Sequence, residues 1–237
     1  VYDGLPLTNS KVDAKGYGFV KGDEVTYEVE GTITNVGSEI NSFTYSFVDK
    51  NVEANYDITK VEGVLIVTPN TSLVVDIIEP TDTFEYNGET HFLRDFEVKT
   101  NMEGQYSISD FVYSGVAEVS GSLVGKYSMD LQPSQFKNIN RNFEDVQFNV
   151  ISKDLVIKPR EKVIVEIKEN GSEVIYDGKL HEVNGYVFHS NDSLYLAEFM
   201  RCNNPEAAHV EGTDVGVYDM ELLPSYFENI NPNFKDV

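Results

Sequence analysis

Gly125-Lys-Tyr-Ser-Met-Asp-Leu-Gln-Pro-Ser-Gln-Phe-Lys-Asn-Ile-Asn-Arg-Asn-Phe-Glu-Asp-Val146 returns as Gly216-Val-Tyr-Asp-Met-Glu-Leu-Leu-Pro-Ser-Tyr-Phe-Glu-Asn-Ile-Asn-Pro-Asn-Phe-Lys-Asp-Val237. Self-similarity of this length decides the architecture before any local reading does. Working outward, Tyr2-Asp3-Gly4 recurs as Tyr86-Asn87-Gly88 and Tyr176-Asp177-Gly178, at spacings of 84 and 90. Val36-Gly37 recurs as Val124-Gly125 and Val215-Gly216, at 88 and 91. Asn55-Tyr56 recurs as Asn142-Phe143 and Asn233-Phe234, at 87 and 91. Two apolar runs end in proline, Val64-Leu-Ile-Val-Thr-Pro69 and Leu155-Val-Ile-Lys-Pro159. Proline stops a strand and stiffens a short linker, so these positions bound the repeats. Three modules follow: 1–69, 70–159 and 160–237.

The modules are all-β by pattern. Alternation of period two runs through Val25-Thr-Tyr-Glu-Val-Glu30, Ser42-Phe-Thr-Tyr-Ser-Phe47, Thr83-Phe-Glu-Tyr86 and Val163-Ile-Val-Glu-Ile-Lys168. The residues filling these runs suit a pleated, half-buried surface. Asp3-Gly4, Asn87-Gly88, Asn170-Gly171 and Asp177-Gly178 are tight-turn dipeptides. Helical signals are short: Ser193–Met200, its counterpart at 105–111, and the Pro133-Ser-Gln-Phe and Pro224-Ser-Tyr-Phe starts. Turn spacing of about 8–12 residues favours an immunoglobulin-like β-sandwich in each module. Asp214-Val-Gly-Val-Tyr218 and Leu123-Val-Gly-Lys-Tyr127 add to this, being written like a tyrosine corner. The alternative is a β-grasp with one short helix per module.

Module two alone carries the full pattern. Module one opens without the β-rich run that precedes the Tyr-Asp/Asn-Gly turn in the others. Module three stops where module two continues as Gln147-Phe-Asn-Val-Ile-Ser-Lys-Asp-Leu-Val-Ile-Lys158. Either a longer array supplies these strands or a neighbouring molecule does, and strand-completing contacts at both ends are expected.

Composition narrows the function classes. There are 18 Lys and Arg against 40 Asp and Glu, a net charge of −22. A phosphate backbone or anionic membrane surface is repelled by that field, so no nucleic-acid partner is expected. No apolar run reaches the ~18 residues that span a bilayer, so no membrane insertion is expected of this segment. Cys202 is the single cysteine and has no partner for a disulfide. His91, His181, His189 and His209 lack metal-ligand spacing, and His91 and His181 read as surface strand residues. No nucleophile, paired acid or phosphate loop stands in working context. Catalytic, cofactor and metal residues are therefore assigned to none, and the enzyme class to no. The oxygen-rich Asn138-Ile-Asn-Arg-Asn142 loop with Glu144 and Asp145 raises calcium, but lacks the acidic loop spacing of a calcium hand. A Lys–Asn isopeptide crosslink needs a buried lysine.

Tyr2-Asp-Gly-Leu-Pro-Leu-Thr-Asn-Ser10, Gly31-Thr-Ile-Thr-Asn-Val-Gly-Ser38, Asn55-Tyr-Asp-Ile-Thr59 and Gly63-Val-Leu-Ile-Val-Thr-Pro69 resemble the YDG or MBG-type repeats. Those occur in long cell-wall-anchored, adhesin-like surface proteins of Firmicutes. The resemblance implies an extracellular, cell-wall-associated, non-enzymatic stalk segment, with export signal and anchor outside the segment, and transfers no catalytic residue. The alternative is a module binding a host glycan or protein, such as mucin or matrix. Divergence over residues 187–208, with Tyr195, Phe199 and Arg201, motivates that alternative, and its ligand is unknown.

Overall fold

The central strands explain how the chain is organised. Val74–Ile78 carries Val75 and Ile77 fully buried, with Val74 and Ile78 half-buried on its other face. A strand this deeply buried needs neighbours on both edges to pair its backbone N–H and C=O groups. It is paired antiparallel with Glu97–Thr100 and parallel with Gln147–Ile151. A second such strand, Asp154–Lys158, buries Leu155 and Ile157. It is flanked antiparallel by Gly125–Ser128 and parallel by Asp82–Glu85. Parallel partners require long crossovers, and here the chain between them runs through much of the second repeat.

The computed structural model describes all residues, 1–237. Its packing separates two compact units that do not follow the repeat boundaries. Unit one contains Val1–Ile78, Glu97–Val116 and Leu131–Ile151. Unit two contains Glu79–Phe96, Ala117–Asp130 and Ser152–Val237. Repeat two is thus shared: part of it packs with repeat one and part with repeat three.

Unit one holds the Glu97–Thr100, Val74–Ile78, Gln147–Ile151 sheet and four two-stranded pairs. The pairs are Leu7–Thr8 with Thr32–Ile33, Val25–Val29 with Phe43–Phe47, Gly37–Asn41 with Gly63–Val67, and Phe111–Tyr113 with Phe136–Asn138. Its core contains Phe47, Leu65, Val67, Leu73, Val75, Ile77, Tyr106, Phe111, Phe136 and Phe143. Unit two holds the Gly125–Ser128, Asp154–Lys158, Asp82–Glu85 sheet and four further pairs. They are His91–Arg94 with Glu118–Gly121, Val165–Glu169 with Tyr186–Ser190, His181–Asn184 with His209–Gly212, and Met200–Cys202 with Phe227–Asn229. A short parallel contact joins Arg160–Glu161 to Phe234–Lys235.

The fold is all-β, as the alternation predicts. The strands form several small sheets of two or three strands each. The six helices are 3-10 turns of three or four residues. Four of the six fall where the short helical signals lie, at Ile108–Asp110, Pro133–Gln135, Ala197–Phe199 and Pro224–Tyr226; the other two are Glu53–Asn55 and Pro205–Ala208. Proline opens three of the six, where its missing N–H has no partner to lose.

The tyrosine-corner bond forms in both copies. Tyr127 donates its hydroxyl to the Leu123 carbonyl at 2.7 Å, and Tyr218 donates to the Asp214 carbonyl at 3.2 Å. Both phenols lie over a glycine. A Cβ on Gly121 would stand 2.4 Å from the Tyr127 ring, and one on Gly212 would stand 2.5 Å from the Tyr218 ring. Gly121→Ala is therefore expected to cost about 1–3 kcal/mol by forcing the ring away. Denaturant midpoints check this. Pairing the change with Tyr127→Ala should erase most of the penalty, and a penalty that persists would assign it to the strand instead.

Candidate functional site

Four pairs of the residues that mark the repeat in sequence meet in space across a repeat boundary. In unit one, Tyr2 of repeat one packs edge-on against Phe143 of repeat two, with centroids 5.3 Å apart. The Val36 N–H donates to Asn142 Oδ1 at 2.9 Å. In unit two, Tyr86 of repeat two meets Phe234 of repeat three at 5.4 Å. The Val124 N–H donates to Asn233 Oδ1 at 2.8 Å. Backbone bonds within each repeat hold the same landmarks in place: Tyr2 N–H donates to the Thr68 carbonyl and Asn70 N–H to the Asn142 carbonyl, as Tyr86 does to Lys158 and Arg160 to Asn233.

Turn chemistry builds the corner that each repeat offers. Asn138 Oδ1 accepts the Asn140 N–H, and Asn140 Oδ1 accepts the Asn142 N–H. The Asn138 amide donates to the carbonyls of Asn140 and Phe143. Asn229, Asn231 and Asn233 form the same ladder in repeat three, closing on the Phe234 carbonyl. Asp145 and Asp236 follow with left-handed φ of 54° and 56°, which turns the chain out of the corner. The oxygen-rich loop of the sequence is thus a run of Asx turns, and its side-chain oxygens are engaged in holding the backbone.

A buried tyrosine supports each corner. Tyr106 reaches Asn138 Oδ1 and the Asp110 carbonyl, and Tyr195 reaches Asn229 Oδ1 and the Phe199 carbonyl. Burial raises the pKa of both phenols, since the charged form loses water. Tyr195 is 2% exposed and packs edge-on against Phe234. Of the residues that suggested a binding surface in repeat three, Tyr195 is core and Phe199 packs on that core. Arg201 pairs with Glu228, which holds that carboxyl below its ordinary value, with a further hydrogen bond from Asn203.

The histidines also have structural places. His91 stacks on Phe84 at 3.9 Å, and its Nε2 lies 3.1 Å from Asn87 Oδ1. His181 Nε2 lies 2.9 Å from Asp177 Oδ1 and, with the Lys179 N–H, lowers the Asp177 pKa. Each opens a strand, partly exposed, and braces the turn four residues before it. His189 sits opposite Glu166 in a strand pair, and His209 Nδ1 lies 2.7 Å from Asn184 Oδ1. No three His, Cys, Asp or Glu residues converge as metal ligands. Buried polar residues are Glu79 and Asn233, and neither is a lysine placed for an isopeptide bond. Cys202 is half-buried beside Tyr186, whose pKa is raised by burial first and Cys202 second. No helix is long and apolar enough to cross a membrane.

A groove of about 630 Å³ opens in repeat three, lined among others by Val165, Ile167, Tyr195, Met200, Pro224 and Phe227. Beside it, Val165–Glu169 is paired on one edge alone, with Tyr186–Ser190. No family model, curated protein or solved structure matches the chain.

Proposed function

We propose that the chain is a non-enzymatic structural segment of a bacterial surface array, its repeats interlocked so that each is completed by the next. The observation that carries this reading is the repeated junction. Tyr2 and Val36 meet Asn142 and Phe143 just as Tyr86 and Val124 meet Asn233 and Phe234. Coupling of this kind ties each repeat to its neighbour, as in arrays stabilised by nearest-neighbour interfaces, and an isolated binding domain does not need it. The net charge of −22 suits repeats held at high density in bulk solvent. The similarity of the sequence to YDG-type repeats supplies the setting: an extracellular, cell-wall-associated stalk of an adhesin-like protein.

Antibody raised to the chain should label intact cells of the source bacterium, and labelling that requires lysis would overturn the location. Glycan arrays and mucin or matrix pull-downs with the whole chain should stay blank. Saturable, competable binding would move the assignment to a host-ligand module.

A further inference from the structure

The groove in repeat three has a filled counterpart in repeat two. There Gln147–Ile151 runs parallel to Val74–Ile78, with Phe148 opposite Val75 and Val150 opposite Ile77. The Phe148 ring packs against Phe111 at 5.4 Å and Phe136 at 5.7 Å. At offsets of 89 to 91 the same framework in repeat three is Val165, Ile167, Met200 and Phe227, and all four line the groove. We infer that this groove is an acceptor site for a β-strand of the Gln147–Lys158 kind, entering parallel to Val165–Glu169 with its phenylalanine opposite Val165, between Met200 and Phe227.

The flanking chain points the same way. Wherever the second half of such a strand is present, its neighbour is a strand too. Gly63–Val67 pairs with Gly37–Asn41, and Asp154–Lys158 pairs with Gly125–Ser128 and Asp82–Glu85. The corresponding residues of repeat three, 216–219 and 172–175, form no strand, although they are as rich in Val, Ile and Tyr. Tyr176 and Val215, whose counterparts Tyr86 and Val124 are half-buried, are 62% and 87% exposed. An open strand edge beside a slot that presents Val165, Ile167, Met200 and Phe227 along with polar groups is the geometry of strand addition, in which backbone bonds give affinity and alternate side chains give selection.

The inference rests on the array reading only for where such a strand would come from. Its test is a free peptide of residues 147–158 titrated into the whole chain. One peptide per chain should bind, slow amide exchange across Val165–Glu169 and raise the Tm. A peptide with Phe148→Ala should bind about tenfold or more weakly, since it loses the burial of one aromatic ring. Met200→Glu in the chain should abolish binding while the near-ultraviolet spectrum is kept. Equal binding of both peptides, or binding without protection of Val165–Glu169, would overturn the assignment. Self-association of the chain that the peptide fails to displace would do the same, by seating a second copy there. Surface labelling is independent of each of these outcomes, so either proposal fails without the other.

Discussion

Phe234→Ala is expected to remove about 3–5 kcal/mol from unit two. The ring is 3% exposed and lies among Tyr86, Tyr195 and Phe199. Truncation leaves a cavity walled by three aromatic side chains, one of them from the preceding repeat. The distribution of the loss is more informative than its size. If the cooperative unit is the packed one, faster amide exchange should appear in His91–Arg94 and Gly125–Ser128 of repeat two as well as in repeat three. Phe143→Ala should act likewise in unit one, through Tyr2 and Tyr106. Exchange that quickens in residues 160–237 alone would show that each repeat stands by itself and that the junction contributes little.

Which parts of this were legible follows from the range of the interactions involved. The Tyr127 and Tyr218 bonds span four residues, so Gly-x-Tyr after a loop is enough to propose them. The 3-10 turns at Pro133 and Pro224 are local in the same way. Alternation marks strands well because burial of one face imposes period two, but it carries no information about partners. Gln147–Ile151 beside Val74–Ile78 could not be read from pattern, since any apolar strand fits that edge equally well. The junction lies between these cases. Its residues were visible as landmarks of the period, yet Val36 and Asn142 are 106 positions apart and Val124 and Asn233 are 109 apart. A repeat in sequence says that two residues are equivalent, not that they touch, and here Tyr2 and Val36 touch Phe143 and Asn142 of the next repeat, as Tyr86 and Val124 touch Phe234 and Asn233. The groove, which brings Val165, Ile167, Met200 and Phe227 together from separate strands, needed the fold.

Leu155→Ala is expected to cost about 2–5 kcal/mol and to loosen two strands at once. Leu155 is fully buried, and in register it faces Tyr127 on one side and Asp82 on the other. The strand that carries it is therefore the only element shared by its two neighbours, and neither neighbour has another partner in the sheet. A two-stranded remnant is marginal in water, so what weakens the centre weakens both edges. Residues 172–175 and 216–219 of repeat three, which lack such a centre and form no strand, represent the limit toward which the variant moves. Amide exchange should quicken together in Asp82–Glu85 and Gly125–Ser128, with Val74–Ile78 in unit one changing far less. Loss of protection on one side alone would mean that the other strand is held by contacts outside the sheet. The strand addition inferred for repeat three would then order 172–175 or 216–219, but not both.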